Sequence, residues 1–378
     1  MKRIRMMAIS LFMVAGIAAG VVLSIHLLAF PAAREVDPQE ASDLAALARI
    51  EPIDTHAHVF VDSPAYYQMM KDLNLHIVDI CVVGRKNEPP NQTQAAQFRE
   101  VMAVRRGSGG RAGVCTTFNP YRFQDKNFAR NTIDILNRNF QEGAIAVKIW
   151  KNIGMQLKWP SGKYVMPDDP VFEPIYKDIT AHNKTLIAHL AEPDTCWESF
   201  AQMSPSNPDY NYYKNSPQWH MYGKPGAPSK QEILKARDHL LAMNPHLRVV
   251  GAHLGSMEAN VDEIARRFDR YPNFNVDTAA RVHYLMAQPR TKVRAFLIKY
   301  QDRICYGTDG GLNRRNEKDT RQVLADWKYK YAMSWKYFAT DETFEYDGLK
   351  VRGLKLPMSV VRKIYHDNAV RLFPGLIR

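Results

Sequence analysis

The chain has 378 residues, of which 46% are hydrophobic and 24% are charged, and its 51 Lys and Arg against 39 Asp and Glu give a formal net charge of +12. This much apolar material supports a folded core and excludes a disordered, collagen-like or disulfide-stabilised class of protein. The basic residues are spread among acidic ones along the chain, so we expect no nucleic-acid partner.

The first 33 residues contain an apolar run long enough to cross a bilayer. Three basic residues among the first five precede an uncharged stretch over residues 6–30, which is longer than the apolar region usual in a cleaved signal. We therefore predict a membrane anchor over residues 1–33, followed by a helical linker over residues 34–50. Because basic residues stay on the cytoplasmic side, the rest of the chain would be extracytoplasmic. A cleaved signal, which would give a secreted or periplasmic protein, is the alternative.

Beyond the linker, apolar runs alternate with helical stretches in the way typical of a parallel α/β fold. Eight strands are predicted, at residues 52–59, 76–83, 112–118, 144–150, 185–189, 247–253, 273–277 and 303–307. Each is followed by a helical stretch, the last over residues 358–373. Eight such units over residues 51–378 predict a (β/α)8 barrel, the TIM-barrel architecture. A doubly wound open sheet is the alternative, although no glycine-rich dinucleotide motif follows the first strand.

Three connections are too long to be plain turns. They span residues 151–169, 191–229 and 310–356, after the fourth, fifth and eighth strands, and all three contain several aromatic residues. In a barrel, loops that follow strands lie at the face where active sites form. We expect these long loops to set substrate specificity, with most of their aromatic side chains holding the loops against the barrel.

Five titratable residues are predicted to converge at one end of the barrel. His56 and His58 are two residues apart in the first strand, so both side chains point to the same face. His189 ends the fifth strand, His253 ends the sixth, and Asp309 follows the eighth. Burying such a group without compensation is costly, and a divalent metal ion is what makes the cluster stable. The pattern therefore predicts a metal site.

The motifs at these positions resemble those of the amidohydrolase superfamily, specifically its amidohydrolase-2 group of metal-dependent hydrolases and decarboxylases. The resemblance covers residues 50–376. It rests on Ile-Asp-Thr-His-Ala-His, Ile-Ala-His, Gly-Ala-His-Leu-Gly, Tyr-Gly-Thr-Asp and the closing Ile-Tyr-His-Asp-Asn-Ala-Val-Arg-Leu-Phe. By this resemblance His56, His58, His189 and Asp309 would bind one divalent metal ion, usually Zn²⁺. His253 would be a second-site ligand or a catalytic acid or base.

Lys148, in the fourth strand, leaves open whether one or two metal ions bind. In superfamily members with a lysine at this strand end, the lysine can be carbamylated and bridge two metals, and His253 would then help to bind the second. In the resembled group one metal is the norm, and Lys148 would bind substrate or pair with a buried acid. Arg281 is predicted to bind a substrate carboxylate and Trp150 to line the pocket. Asp54 is predicted to orient the metal ligands.

These residues predict the chemistry of the site. Imidazoles and one carboxylate leave a bound cation electrophilic, with a position open for water whose pKa the cation lowers. Asp309 can accept the proton of that water, and His253 can polarise a carbonyl or protonate a leaving group. Such a site would hydrolyse an ester, lactone or amide.

We therefore expect a membrane-tethered metallohydrolase whose partner is a small-molecule substrate. A zinc-dependent decarboxylase of an aromatic or muconate-type acid is the first alternative, because the same site can protonate a ring carbon and release carbon dioxide. A barrel that binds a small ligand without turnover is the second.

The four cysteines are few and three lie in apolar runs, so no structural disulfide is predicted. The sequence carries no signal for an oligomeric state.

Overall fold

The computed structural model of the protein describes residues 38–204 and 207–377. The predicted anchor over residues 1–33 lies outside these residues and stays a prediction. Within the described part of the chain, no helix has both the length and the apolar character needed to cross a bilayer.

The core of the fold is a parallel sheet. Its nine strands are β1 (Ile53–Val59), β2 (His76–Ile80), β3 (Ala112–Thr117), β4 (Ala144–Ile149), β5 (Thr185–Ala188), β6 (Arg248–Gly251), β7 (Phe274–Asp277), β8 (Ile304–Cys305) and β9 (Gly310–Leu312). Strands β8 to β1 are neighbours in reverse chain order, and β9 lies on the other side of β1. The first eight strands correspond to the eight predicted ones, whereas β9 was not predicted.

One stretch of chain, residues 304–312, contacts both ends of the sheet. Its first part, β8, pairs with β7, and its last part, β9, pairs with β1. Between them, the amide of Thr55 donates to the carbonyl of Tyr306 and the amide of Asp309 donates to the carbonyl of His56, each at 2.9 Å. The result is a TIM-barrel-like α/β fold in which the carboxyl ends of the strands face one region.

Helices cover the sheet. They are α1 (Pro38–Ala48), α2 (Pro64–Asp72), α3 (Gln94–Gly107), α4 (Phe128–Gln141), α5 (Asn152–Met155), α6 (Glu173–Ala181), α7 (Pro208–Asn215), α8 (Lys230–Met243), α9 (Ala252–Gly255), α10 (Val261–Arg270), α11 (Val282–Met286), α12 (Arg290–Lys299), α13 (Thr320–Ala339), α14 (Met358–Arg362) and α15 (Asn368–Leu372). Several begin at a residue whose side chain accepts from a free amide of the first turn, such as Ser63, Thr93 and Asn260. Ser229 and Glu232 form a capping box at α8.

The end of the chain packs at the amino ends of the strands. Val78, Ile187 and Val250 belong to one apolar cluster with Phe373 and Leu376. The hydroxyl of Thr185, the first residue of β5, also donates to a carbonyl of α15. The opposite, carboxyl ends of the strands are therefore free to form a site.

The connection over residues 310–356 is mostly helix and strand, which corrects the prediction of a long loop there. Trp327, Tyr331, Trp335 and Phe338 are buried, and their spacing of three or four residues places them on one face of α13. Helix α13 packs against α1 and α2. A hairpin of β10 (Thr343–Tyr346) and β11 (Leu349–Arg352) follows. The aromatic residues of this segment thus form part of the core.

Helix α1 lies within the predicted linker and packs on the barrel. Leu44 and Leu47 are buried, and Oδ2 of Asp43 lies 3.5 Å from Nζ of Lys336 in α13. The four cysteines are buried free thiols.

His76, at the start of β2, is expected to make the protein less stable in mild acid. Its Nε2 lies 3.4 Å from Nη1 of Arg111, and burial together with the Arg111 charge lowers the pKa of His76 to about 4. The unfolded chain binds this proton below about pH 6.5, so stability falls as the pH falls from about 6.5 to about 4. In urea unfolding at about pH 7 and pH 5, His76→Gln should lose less stability than wild type. The exposed His246→Gln is the control, and equal losses in all three proteins would contradict the prediction.

Candidate metal centre

Side chains at the carboxyl ends of the strands line one cavity of ≈ 470 Å³. The structure brings together in it all eight residues that the sequence analysis placed in the site: His56, His58, Lys148, Trp150, His189, His253, Arg281 and Asp309. Five further residues line the cavity and were not predicted: Val82, Lys151, Glu192, Asp209 and Tyr212. Residues far apart in the chain meet here because parallel strands end at the same edge of the sheet.

The two histidines of β1 direct their Nε2 atoms into the cavity. Nδ1 of His56 lies 2.9 Å from Oδ2 of Asp277, and Nδ1 of His58 lies 2.8 Å from the carbonyl oxygen of Ile80. Because both partners are acceptors, they hold the ring proton on Nδ1 and leave the Nε2 lone pair free. Metal-binding imidazoles are fixed in this way.

His253 lies on a left-handed turn. The φ angles of residues 253–256 are between 56° and 62°, a conformation that costs about 1–2 kcal/mol for each residue with a side chain. The turn is held in place because the amide of His253 donates to Oδ1 of Asp277 at 2.8 Å, and Nη1 of the buried Arg237 donates to a carbonyl of the turn at 2.6 Å. Nδ1 of His253 lies 2.9 Å from the carbonyl oxygen of Ala279, so its Nε2 is also free.

Asp309 lies opposite these imidazoles. Its Oδ1 is 3.5 Å from Nε2 of His56 and 3.3 Å from Nε2 of His58. Ligand atoms of His56, His253 and Asp309 lie within 4.8 Å of one another, so these three residues can hold a metal ion. His253 is therefore one of the three residues that form the cluster, and His58 lies beside the cluster through its contact with Asp309.

The protonation states of the cluster suit a cation. Burial lowers the pKa of His56 and, more strongly, that of His253, so both imidazoles are neutral near pH 7. Burial alone would raise the pKa of Asp309, but the neighbouring imidazoles of His58 and His253 hold it well below its usual range. Metal binding needs neutral imidazoles and an ionised carboxylate.

His189 supplies the clearest sign that the cavity fits a metal ion. Its Nε2 is buried and has no hydrogen-bond partner among residues 38–204 and 207–377. The ring lies beside that of His253, with centroids 4.2 Å apart, and burial together with His253 lowers the pKa of His189 well below its usual value. A buried nitrogen without a partner is costly, and a cation in the cavity would give it one.

Lys148 points into the cavity, as both of its predicted roles require. Its Nζ lies 3.3 Å from Nε2 of His56, and burial lowers the pKa of Lys148. Lys148 is therefore a neighbour of the cluster itself.

Asp54 lies behind the cavity and holds two segments that bear site residues. Its Oδ1 accepts hydrogen bonds from the amides of His56 and Thr308, each at 3.0 Å, and its Oδ2 accepts one from the hydroxyl of Tyr331 at 2.9 Å. Burial raises the pKa of Asp54 to about 6. These contacts are those of an orienting residue.

The sequence analysis missed Asp277, which connects two of the histidines. Its two carboxylate oxygens bind Nδ1 of His56 and the amide of His253. Burial alone would raise the pKa of Asp277, but His56 beside it keeps that pKa below its usual value. Its position at the carboxyl end of β7 was the signal that could have identified it.

Two cations and a carboxylate form the outer part of the cavity. Lys151 pairs with Glu192, and its Nζ lies 2.6 Å from the hydroxyl of Tyr212. Burial lowers the pKa of Lys151 to about 7. Nη2 of Arg281 lies 3.8 Å from Oε2 of Glu192, and Nε lies 4.0 Å from Oε2 of Glu258. The guanidinium of Arg281 therefore lies at the cavity wall beside two buried carboxylates.

The fold and the cluster define a TIM-barrel-like protein with a candidate metal site at the carboxyl ends of its strands. The family model Amidohydro_2, described as amidohydrolase, matches residues 53–375. The chain belongs to the amidohydrolase family, as the motifs predicted. It is therefore an enzyme of a superfamily whose members are generally metal-dependent, and its His-His-Asp cluster can hold such a metal.

Solved structures with this fold share little sequence with the chain. A crystal structure of an amidohydrolase II is 15% identical, with a TM-score of 0.51, and the match covers 85% of this chain and 99% of that one. A 2,6-dihydroxybenzoate decarboxylase from Rhizobium is 13% identical (TM-score 0.49, 85% and 98% covered). A 5-carboxyvanillate decarboxylase from Sphingomonas paucimobilis is 14% identical (TM-score 0.47, 86% and 99% covered). A search of curated proteins found no match.

Proposed function

We propose that this enzyme is a metal-dependent hydrolase of a small ester, lactone or amide. The observation that carries the proposal is the placement of Asp309, an ionised carboxylate that is 34% exposed to the cavity while its Oδ1 lies within 3.5 Å of two imidazole nitrogens. A carboxylate placed between metal-binding imidazoles and open space can orient a water molecule and accept its proton.

The residues that would hold the metal ion are His56, His58, His189 and Asp309, with Zn²⁺ as the proposed ion. This set is supported by the Nδ1 contacts of the two β1 histidines, which leave their Nε2 atoms unprotonated, and by the Nε2 of His189, which has no hydrogen-bond partner in the described part of the chain. When bound, a divalent cation would polarise the substrate carbonyl and lower the pKa of a water molecule. One ion is proposed, because Lys148 already lies within 3.3 Å of His56. A second ion held by Lys148 and His253 is the alternative.

His253 is proposed to move the proton to the leaving group. Its Nδ1 faces the carbonyl of Ala279, so the neutral ring has only Nε2 available in the cavity, and there it is an acceptor. His253 can therefore donate to a leaving group only after it has received a proton. Asp309, in the same cluster, would take a proton from the attacking water and pass it to Nε2 of His253, which would then protonate the leaving group.

Arg281 is proposed to bind an anionic group of the substrate. Its guanidinium lines the cavity and, at 3.8 Å from Glu192 and 4.0 Å from Glu258, is too far from either carboxylate for a hydrogen bond. Trp150, whose ring centroid lies 6.2 Å from that of His189, would provide an apolar wall for the substrate.

A decarboxylase of an aromatic or muconate-type acid is the second candidate. The indole of Trp150 and the guanidinium of Arg281, which line the same cavity, favour it, because an aromatic ring and a cation suit an aromatic carboxylate. In this case Nε2 of His253 would first take a proton from solvent and then deliver it to the ring carbon, while the bond from that carbon to the carboxylate breaks and carbon dioxide leaves.

A substrate panel tests the two candidates. The metal-loaded protein would be assayed against small esters, lactones, amides and aromatic acids, with acid release and carbon dioxide release measured separately. We expect hydrolysis of at least one ester, lactone or amide, lost with a chelator and restored by Zn²⁺. Carbon dioxide release without hydrolysis would overturn the proposal in favour of a decarboxylase. Metal binding without any turnover would overturn both in favour of a ligand-binding barrel.

We also propose that residues 1–33 tether the enzyme to a membrane with its catalytic part on the extracytoplasmic side. The basic residues before the uncharged stretch 6–30 support this orientation. Membrane fractionation and the mass of the mature chain test it. An intact chain in the membrane fraction is expected, and a shortened, soluble chain would show a cleaved signal.

A further inference from the structure

A second cavity, of ≈ 700 Å³, adjoins the catalytic one. We call it the arginine groove, because its lining includes Arg85, Arg314 and Arg315 together with several amide side chains. The arginine groove and the catalytic cavity share Val82 and Trp150. They are therefore neighbouring compartments of one larger site.

Trp150 lies at the boundary between the two compartments. Its ring lies 6.2 Å from His189 on the catalytic side and 4.8 Å from Trp219, measured between centroids. Gly84, which lines the arginine groove, leaves room for the indole, because a Cβ there would lie 3.1 Å from the ring. A molecule that passes from the metal cluster to the groove would contact this apolar ring.

The arginines of the groove are incompletely neutralised. Arg85 donates to the side-chain oxygen of Gln92 at 3.0 Å, and Nη2 of Arg314 is 3.5 Å from Oε1 of Glu100. Arg315 forms no ion pair within the described residues. The other acid of the groove is Glu88, and burial raises its pKa to about 7, so its negative charge is only partial near neutral pH. The groove thus has an excess of positive charge and of free guanidinium donors.

We propose that the arginine groove binds a distal oxyanion, a carboxylate or a phosphate, of a substrate whose reacting end lies at His56, His253 and Asp309. This inference rests on the proposed function, because it names the substrate class of the same site. Guanidinium groups suit such oxyanions, since they donate two parallel hydrogen bonds to them. The substrate is then an elongated small molecule with an anionic group at the end remote from the reacting bond and an apolar middle that packs on Trp150.

Binding of unreactive acids tests the groove without any turnover. Calorimetry on the metal-loaded full-length protein would compare adipate and suberate with hexanoate and octanoate, which have the same lengths but one carboxylate. We expect at least one diacid to bind about 10-fold more tightly than its monoacid, and less so at high salt. Arg85→Gln/Arg315→Gln should reduce diacid affinity to the monoacid level and leave monoacid affinity unchanged.

The control is Arg130→Gln, an exposed arginine of α4 outside both cavities, which should behave as wild type. Equal affinity for diacids and monoacids, or the same loss in the control as in the double variant, would overturn the proposal.

An octanoate with a terminal phosphonate distinguishes the two oxyanions. Tighter binding than suberate supports a phosphate-bearing substrate, and weaker binding supports a carboxylate. A diacid preference without ester turnover would contradict the proposed hydrolase but support the groove.

Discussion

Asp309→Asn is expected to reduce kcat/KM for the best substrate by about 10³-fold or more. The amide cannot accept the proton of the attacking water, and it removes the negative charge that faces Nε2 of His56 and His58. Steady-state kinetics on the metal-loaded variant, with thermal unfolding to confirm the fold, would measure the effect. The control is Asp302→Asn, at a residue that is 64% exposed and pairs with Lys363.

Asp302→Asn should retain wild-type activity, because this carboxylate lies outside the cavity lining. If folded, metal-loaded Asp309→Asn kept more than about a tenth of the wild-type kcat/KM, the role given to Asp309 as proton acceptor would be wrong.

Asp277→Asn is expected to weaken metal binding by about 10–100-fold. The carboxylate accepts from the ring of His56 at Oδ2 and from the amides of His253 and Ala279 at Oδ1. An asparagine has only one acceptor oxygen, so it cannot hold both the ring and the amides, and its amide nitrogen would face a donor. Competition with a chromophoric chelator would measure the affinity.

The matched control for this prediction is Asp79→Asn. Asp79 is equally buried in the neighbouring strand β2, where its Oδ1 accepts from the amide of Val59 at 2.8 Å. Burial raises the pKa of Asp79 well above its usual value, so the amide is a close replacement. Metal affinity should be kept in Asp79→Asn. Equal losses in the two variants would mean that Asp277 acts on the fold and not on the ligands.

The positions of the strands and of the inward-facing site residues were predictable because both depend on local patterns. Alternation in β1 places His56 and His58 on one face, and both line the cavity. His189, His253 and Asp309 each follow or end an apolar run, and the carboxyl ends of parallel strands meet wherever such a sheet forms.

The partners of these residues were not predictable, since they depend on how distant segments pack. Asp277 binds His56 from 221 residues away, and no sequence pattern records that contact. The left-handed turn at His253 was not predictable either. Only one of its four residues is a glycine, and the turn is held by hydrogen bonds to other elements. The arginine groove was not predictable for the same reason. It brings Arg85, from the connection after β2, together with Arg314 and Arg315, from the connection after β9.

The metal content of the purified chain, measured by elemental analysis beside that of His56→Ala, tests the proposal that these residues form a metal centre. We predict about one divalent transition-metal ion for each wild-type chain and only a small fraction of that in the folded variant, because His56 contributes to the cluster with His253 and Asp309. A wild-type protein that holds no metal after growth and dialysis with Zn²⁺, or a variant that holds as much as wild type, would contradict the metal centre described above.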